Sequence, residues 1–250
     1  MLTVAALAGL PEIERDADLG ALIASASQGD LTLEAGDVLV IAHKALSKAE
    51  GRVRALADVA PGERARSLAL QHGKDPRHVQ VILDESREVI RAAHGVLICV
   101  THHGFVCANA GVDASNAPQA DTVIMLPRDP DASARALRAR LQTLTGVRPG
   151  VVITDSFGRA WRLGQCDIAI GCAGISPLED LRGRSDRAGR ELHATVVATA
   201  DELAAAADLA RSKDTGQPVI LVRGAARHVT DADGPGAAAL IRPAEADLFR

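Results

Sequence analysis

The sequence GVVITDSFGR (residues 150–159) contains the clearest strand of the chain, followed at once by an acid and a hydroxyl. GVVIT is apolar and β-branched without polar alternation, a pattern typical of a strand buried on both faces. We expect this strand to span 150–154 and to end directly on Asp155. Ligands tend to bind beyond the carboxyl ends of such strands, so Asp155 and Ser156 are candidate site residues.

Similar apolar runs at 38–41, 95–100 and 218–222 predict further strands, and residues 105–108 predict the returning arm of a hairpin. Helical periodicity and capping residues predict helices at 16–27, 61–72, 75–93, 129–146 and 201–211. In the helix at 129–146, we expect Arg135, Arg138 and Arg140 to face solvent. The pattern predicts an α+β fold with mixed parallel and antiparallel sheets, helices and two intimate lobes, and we expect residues 1–250 to form one unit.

The composition excludes several function classes. Only 2% of the 250 residues are aromatic and the formal net charge is −4, so neither a base-stacking surface nor a basic stripe for nucleic acid is expected. No apolar run has the length of a membrane span. The four cysteines lack CxxC spacing, which favours free thiols in a reducing compartment. We therefore expect a cytoplasmic protein without a nucleic-acid or membrane partner.

The densest polar segment is NAGVDASN at residues 109–116. Asp113 offers a hard oxygen ligand for Mg²⁺ or Mn²⁺, and Ser115 and Asn116 offer hydrogen bonds to a phosphate or nucleobase. The alternative is a turn whose Asn and Asp side chains cap their own backbone.

The segment after the strand at 150–154 combines Asp155 and Ser156 with Arg159, Trp161 and Arg162. An acid followed by a hydroxyl suits a hydrated metal held against phosphate, and two guanidinium groups suit anionic oxygens. The alternative is that Asp155 caps a helix, the arginines are solvated and Trp161 is part of the core.

A third segment, AHKALSKAE at residues 42–50, presents Ser47 and Lys48 just past a predicted buried strand. Lys48 could neutralise phosphate oxygens, although no glycine-rich loop precedes it as in a P-loop. The alternative is a solvated helix start.

Taken together, six segments resemble the coenzyme F420-0:γ-glutamyl ligase family over essentially the whole chain. They are GLPEI (9–13), GDVLVIAHKALSKAEGR (36–52), FVCANAGVDASN (105–116), DPDASA (129–134), VVITDSFGRAWRLGQ (151–165) and ADELAAAADL (200–209). The resemblance implies a mixed α/β fold of the family's own and a homodimer. It also implies GTP as co-substrate, two Mg²⁺ or Mn²⁺ ions, and K⁺.

By carry-over from the resemblance, the residues that border the guanine nucleotide are Leu10, Pro11, Glu12, Ile13, His43, Lys44, Lys48 and Asn116. Asp113, Asp155 and Ser156 match the metal-ligand positions. Some relatives have small hydroxyl residues where His43 and Lys44 stand, and Thr is frequent where Ser156 stands. The segment 211–217 aligns loosely with a nucleotide and metal loop, and we assign no ligand there.

The resemblance implies a GTP-dependent ligase that adds L-glutamate to F420-0 through an acyl phosphate. We expect Lys48, Arg159 and Arg162 to neutralise the charge that develops during catalysis. Two rival functions remain open on the sequence: a metal-dependent nucleotidyl- or phosphotransferase, and a non-catalytic binder of F420 precursors.

Overall fold

A computed structural model describes residues 1–211 and 216–247. The strands are β1 Thr3–Ala6, β2 Val38–Ala42, β3 Val53–Ala55, β4 Ser86–Ala93, β5 Val96–Thr101, β6 Val106–Ala108, β7 Thr122–Ile124, β8 Gly150–Arg159, β9 Arg162–Ala173, β10 Glu179–Asp180, β11 Val196–Val197 and β12 Val219–Arg223. The α-helices are α1 Leu19–Ala26, α2 His43–Ala49, α3 Glu63–His72, α4 Pro76–Asp84, α5 Pro130–Thr145 and α6 Thr199–Ala210.

The largest sheet has five strands in the order β1-β12-β2-β8-β9. Its central pair, β2 and β8, is parallel, and the other neighbours are antiparallel. Alternate side chains of β2 enter two cores, with Leu39 and Ile41 packing in the cluster that contains α1 and α5 side chains and Val38 and Val40 in the cluster that contains α6 side chains. Both faces are thus covered, which explains why these strands are continuously apolar.

A third core lies apart from the large sheet. The antiparallel sheet β4-β5-β6 and helices α3 and α4 contribute to it, together with the pair β3-β7. Its fully buried members include Val79, Ile82 and Leu97. The mixed sheets and the separate third core confirm the predicted α+β class.

The predicted helix at 75–93 is wrong in its second half. Helix α4 begins as expected, with Asp75 accepting a hydrogen bond from the Arg77 amide, but it ends at Asp84. Residues 86–93 instead form β4, whose backbone pairs with β5 through two register shifts. Pairing with a neighbouring strand outweighs a helical pattern that depends only on local spacing.

The outward orientation predicted for Arg138 on α5 is also wrong, because its side chain is 1% exposed. Its guanidinium donates to the carbonyls of Pro149 and Thr230 and to Asp233 Oδ1 at 2.7 Å. Gly174 makes room for it, since a Cβ there would lie 2.2 Å from Arg138 Cζ. A loop distant in sequence therefore covers this face of the helix.

Several other local expectations agree with the structure, although strand β9 at Arg162–Ala173 was not predicted. Asp129 caps α5 by accepting from the Ala132 amide, and Gly73 ends α3 in the left-handed region. All four cysteines are free thiols, and burial raises the pKa of Cys107 and Cys172 to about 12. Across the described residues, no helix is long and apolar enough to cross a membrane.

Candidate functional site

A cavity of about 240 Å³ opens at the carboxyl ends of the parallel strands β2 and β8. The described lining comes from the end of β2 with the start of α2, the β8-β9 pair, and the chain near 11–13, 113–116, 208–211 and 216–218. The described lining carries five carboxylates and three permanent cations. This surplus of negative charge attracts cations, while the lysines and arginine among them can meet anionic groups.

One wall of the cavity is the β8-β9 pair. The strand predicted to end on Asp155 continues to Arg159, because β9 pairs with it along its whole length. The register shifts between Ile153 and Thr154, a bulge of the kind that often redirects side chains beside active sites. Asp155 and Ser156 both line the cavity. They are therefore fixed by a sheet and do not begin a loop or cap a helix.

Asp167 on β9 anchors this wall, and the sequence analysis missed it. It lies opposite Ser156 in the ladder and its side chain is 3% exposed. It accepts hydrogen bonds from Ser156 Oγ at 2.6 Å, from Thr154 Oγ1 at 2.9 Å and from Arg211 Nη1 at 2.6 Å. Burial lowers the pKa of Arg211, an effect that the nearby charge of Asp167 opposes.

Asp155 faces His43, which is nearly fully buried at the start of α2. The ring nitrogen Nε2 lies 3.3 Å from Asp155 Oδ1, and Nδ1 is 3.2 Å from Ser47 Oγ. Asp155 Oδ1 also accepts from the Ser156 amide at 2.8 Å. The carboxylate is therefore bordered by a buried ring on one side and by its own strand on the other.

The opposite wall is the loop containing Asp113 and Ser115. The backbone of Asp113 is bonded to Ile124, while its side chain is half-exposed. Lys44 Nζ lies within an oxygen cradle: 2.5 Å from Asp113 Oδ2, 2.6 Å from Ser115 Oγ and 3.2 Å from the Ser115 carbonyl. Burial raises the pKa of Asp113, but hydrogen bonds from Lys44 and Ser115 outweigh it and hold that pKa below its ordinary value.

The turn interpretation of residues 109–116 also has support. Asp113 Oδ1 accepts from the Ser115 amide at 2.8 Å, as the first residue of an Asx turn does. Asn116 has a positive φ of 57° and lines the cavity. Structural and ligand-facing roles therefore coexist in one segment.

A second lysine contact joins two residues that are predicted to bind the nucleotide. Lys48 on α2 forms an ion pair with Glu12, and Pro11 and Ile13 line the cavity beside them. Leu10 lies outside the lining and packs against the core that contains α1 and α5 side chains. All the predicted nucleotide residues except Leu10 thus share one cavity.

The structure does not bring Arg159 and Arg162 to this cavity. They lie at the tip of the β8-β9 hairpin, where Arg159 Nη2 donates to the Leu163 carbonyl at 2.6 Å. Trp161 beside them is 76% exposed, so it is not part of the core. The catalytic role predicted for the two arginines stays a prediction that this arrangement does not support.

Besides Asp167, the cavity includes Gln165, Asp208, Arg211 and Gln217, to which the sequence analysis gave no role. A charged residue at 167 inside the otherwise apolar end of β9 was the signal that could have indicated it. Of the segment 211–217, residues 212–215 lie outside the described part of the chain. Among the described residues, no group of three or more His, Cys, Asp or Glu side chains forms a ready-made metal cage.

Comparison with known proteins identifies the family of this chain. The profile of the F420-0:Gamma-glutamyl ligase family matches residues 9–224. A protein of Methanopyrus kandleri named coenzyme F420:L-glutamate ligase is 47% identical over 93% of this chain and 91% of its own. The proteins of that name from Methanothermobacter thermautotrophicus and Haloarcula marismortui are 44% and 42% identical, over 97% and 100% of this chain and 96% of each relative. The chain belongs to the F420-0:gamma-glutamyl ligase family.

Proposed function

We propose that this protein is a GTP- and divalent-metal-dependent ligase that joins L-glutamate to coenzyme F420-0, forming F420-1 and longer γ-linked tails. The observation that carries the proposal is the convergence of Asp113, Asp155 and Ser156 with Lys44 and Lys48 on one cavity, in a chain that matches this family from residue 9 to 224. The lining offers oxygen ligands for cations and ammonium groups for phosphates.

The residues present fit a metal that arrives with a nucleotide. Mg²⁺ is commonly bound by one or two carboxylates together with substrate phosphates, without an all-protein cage. Asp113, Asp155 and Ser156 would supply such an oxygen set. The Lys44 ammonium, which already lies between Asp113 and Ser115, supports a cation site at the Asp113 carboxylate. When bound, Mg²⁺ or Mn²⁺ would neutralise the phosphate charge that develops during phosphoryl transfer.

The chain's own cations would act on the nucleotide. The Lys48 side chain is 11% exposed and forms an ion pair with Glu12, which holds its ammonium group at the cavity. Lys44 is released to the phosphates if a metal takes its place beside Asp113. Both ammonium groups then stabilise negative charge in a partly desolvated site, where electrostatic interactions are stronger than in water.

The proposed reaction has two steps. Ser47, His43 and Asp155 lie in contact, but Ser47 is fully buried and does not line the cavity, so its hydroxyl is not placed to act as a nucleophile. A carboxylate oxygen of F420-0 bonds to the γ-phosphorus of GTP as GDP leaves, producing an acyl phosphate. The amine of L-glutamate then bonds to the acyl carbon while inorganic phosphate leaves and the amine loses a proton. The protein contributes by holding the reactants in line.

Other parts of the proposal come from the family resemblance. They are the assistance of K⁺ and a homodimer. A cytoplasmic location is proposed from the four free cysteines, which suit a reducing compartment. We likewise propose that residues 1–250 act as one catalytic unit. Each of these properties can be measured separately on the purified protein.

The test is a product analysis by mass spectrometry. Protein incubated with GTP, Mn²⁺, F420-0 and L-glutamate should yield F420-0 heavier by one glutamate residue, together with GDP and phosphate. GTP consumption that does not require glutamate would identify a phosphotransferase instead. Binding of F420-0 without GTP consumption would identify a non-catalytic binder and overturn the proposal.

A further inference from the structure

We propose that Asp167 is a positioning residue that turns the Ser156 hydroxyl into a ligand for the nucleotide-bound metal. The inference rests on the proposed function, because it gives Asp167 a role at that site. Asp167 lines the base of the cavity and is not among the residues that the family resemblance assigned.

The hydrogen bond between Ser156 and Asp167 has a defined direction. A serine hydroxyl has one proton to donate and two lone pairs, whereas an ionised carboxylate can only accept. Ser156 Oγ lies 2.6 Å from Asp167 Oδ1, and Asp167 is paired with the permanent cation of Arg211. The Ser156 proton is therefore committed to Asp167, which leaves the oxygen lone pairs for the cavity.

Thr154 offers a second hydroxyl to the same carboxylate, but in a different environment. Thr154 Oγ1 donates to Asp167 Oδ2 at 2.9 Å and also accepts from Arg211 at 3.1 Å, and the residue is 1% exposed. Both residues line the cavity, but Ser156 is partly exposed, whereas Thr154 is buried and its hydroxyl already has two partners. One carboxylate thus binds two hydroxyls, but only that of Ser156 is available to a cation.

Asp167 is not itself placed to bind the metal. Its Oδ1 accepts from Ser156, and its Oδ2 accepts from Thr154 and Arg211. With a side chain 3% exposed, it lies behind these donors. Groups that orient metal ligands in this way commonly affect metal affinity by about 10- to 100-fold.

The test is a double-mutant cycle on Mn²⁺ binding to the GDP-bound protein, followed by electron paramagnetic resonance. We expect Ser156→Ala and Asp167→Asn each to weaken Mn²⁺ binding by about 10- to 100-fold. The Mn²⁺ affinity of the double variant should lie within about threefold of that of either single variant, because Asp167 acts through Ser156. The inference would be overturned if the two effects multiplied in the double variant, or if only one of the two single variants weakened Mn²⁺ binding.

Two control variants separate positioning from general damage. Thr154→Val removes the other hydroxyl from Asp167 and should leave Mn²⁺ affinity within about threefold. Asp233→Asn breaks the ion pair with buried Arg138, neither of which lines the cavity, and should lower stability without changing Mn²⁺ affinity. Weaker Mn²⁺ binding in either variant would contradict a role specific to Ser156.

A measurement on the unaltered protein keeps the inference testable if Asp167→Asn does not fold. Neutron diffraction of the GDP and Mn²⁺ complex should place the Ser156 hydroxyl deuterium toward Asp167 Oδ1 and the ion on the opposite side of the oxygen. A deuterium directed into the cavity would overturn the inference. Product formation by the wild-type protein is measured separately, so the ligase proposal can stand even if this positioning role fails.

Discussion

The two walls of the cavity hold their acidic residues in different ways. On the strand wall, Asp155 and Ser156 lie within the β8-β9 ladder, backed by the buried pair Asp167 and Arg211. On the loop wall, the side chain of Asp113 is half-exposed and is held by Lys44 and Ser115. The strand wall is built into the fold, whereas the loop wall depends on a cation at its surface.

This difference indicates how the site is assembled. The hydroxyl and carboxylate of the strand wall have their geometry before any ligand binds. We propose that the carboxylate of the loop wall exchanges Lys44 for a metal. Preorganisation on one side would reduce the cost of binding the proposed nucleotide, while the other side would adjust to it.

The largest difference should appear in stability. Asp167→Asn leaves buried Arg211 without its charge partner, and we expect a loss of about 3–5 kcal/mol in the free energy of unfolding. Asp113→Asn removes only a partly exposed ion pair and should cost less than about 1 kcal/mol. Urea denaturation of the two variants measures both values. Equal losses would remove the distinction between a built-in wall and an exchangeable one.

In catalysis the two walls should instead be equally necessary. We expect Asp155→Asn and Asp113→Asn each to lower kcat/KM by about 100- to 1000-fold, because each would remove a ligand of the cation that stabilises the phosphoryl-transfer transition state. Steady-state kinetics of phosphate release provide the measurement. Asp84→Asn, on a surface pair with Arg54, is the matched control and should keep normal turnover. Normal turnover in either cavity variant would exclude that wall from the chemistry.

A smaller effect concerns pH and the loop wall alone. The folded pKa of Asp113 lies below its ordinary value of 3.8, so its ionisation stabilises the fold above that pH and the contribution is lost as pH falls through the folded pKa. Lys44→Met removes a principal lowering partner and should flatten the stability curve below about pH 4, by under about 1 kcal/mol because the pair is half-exposed. Thermal melts from pH 6 to pH 2.5 would detect it. A steeper acid loss in the variant would contradict the assignment.

The smallest effect should come from the hairpin tip. Because Arg159 and Arg162 lie outside the cavity, we expect Arg159→Ala and Arg162→Ala to change kcat/KM by less than about threefold, as is usual for surface substitutions. The same assay of phosphate release applies. A loss of a hundredfold would restore the catalytic role predicted from the sequence and would require the tip to move toward the substrate.

Much of the strand wall could be predicted from local sequence, but its anchor could not. The run VVIT indicated a buried strand, and an acid followed by a hydroxyl indicated a ligand site at its end. The partner of Ser156 is Asp167, which becomes adjacent only when β9 turns back and pairs in this register. Register depends on tertiary contacts, so no spacing rule within β8 could identify it.

Contacts with distant residues also explain the two wrong predictions for residues 86–93 and Arg138. Residues 86–93 carry a pattern compatible with a helix, and pairing with β5 makes them a strand. Arg138 is a charged residue of the kind that usually lies on a solvated helix face, but the loop at 230–233, distant in sequence, covers it. The loop wall was easier to predict, because the small polar residues at 109–116 are themselves the signal. Elements that depend on their own composition were predicted, and those that depend on a distant partner were not.

The central claim is that the two walls meet on one nucleotide-bound cation. A crystal structure with GDP and Mn²⁺, analysed by anomalous scattering from manganese, tests it most directly. The account predicts a manganese peak bound jointly by Asp113 from the loop wall and Asp155 from the strand wall, with Lys44 moved from Asp113 to the phosphates. Manganese that contacts one wall alone, with Lys44 still paired to Asp113, would contradict it.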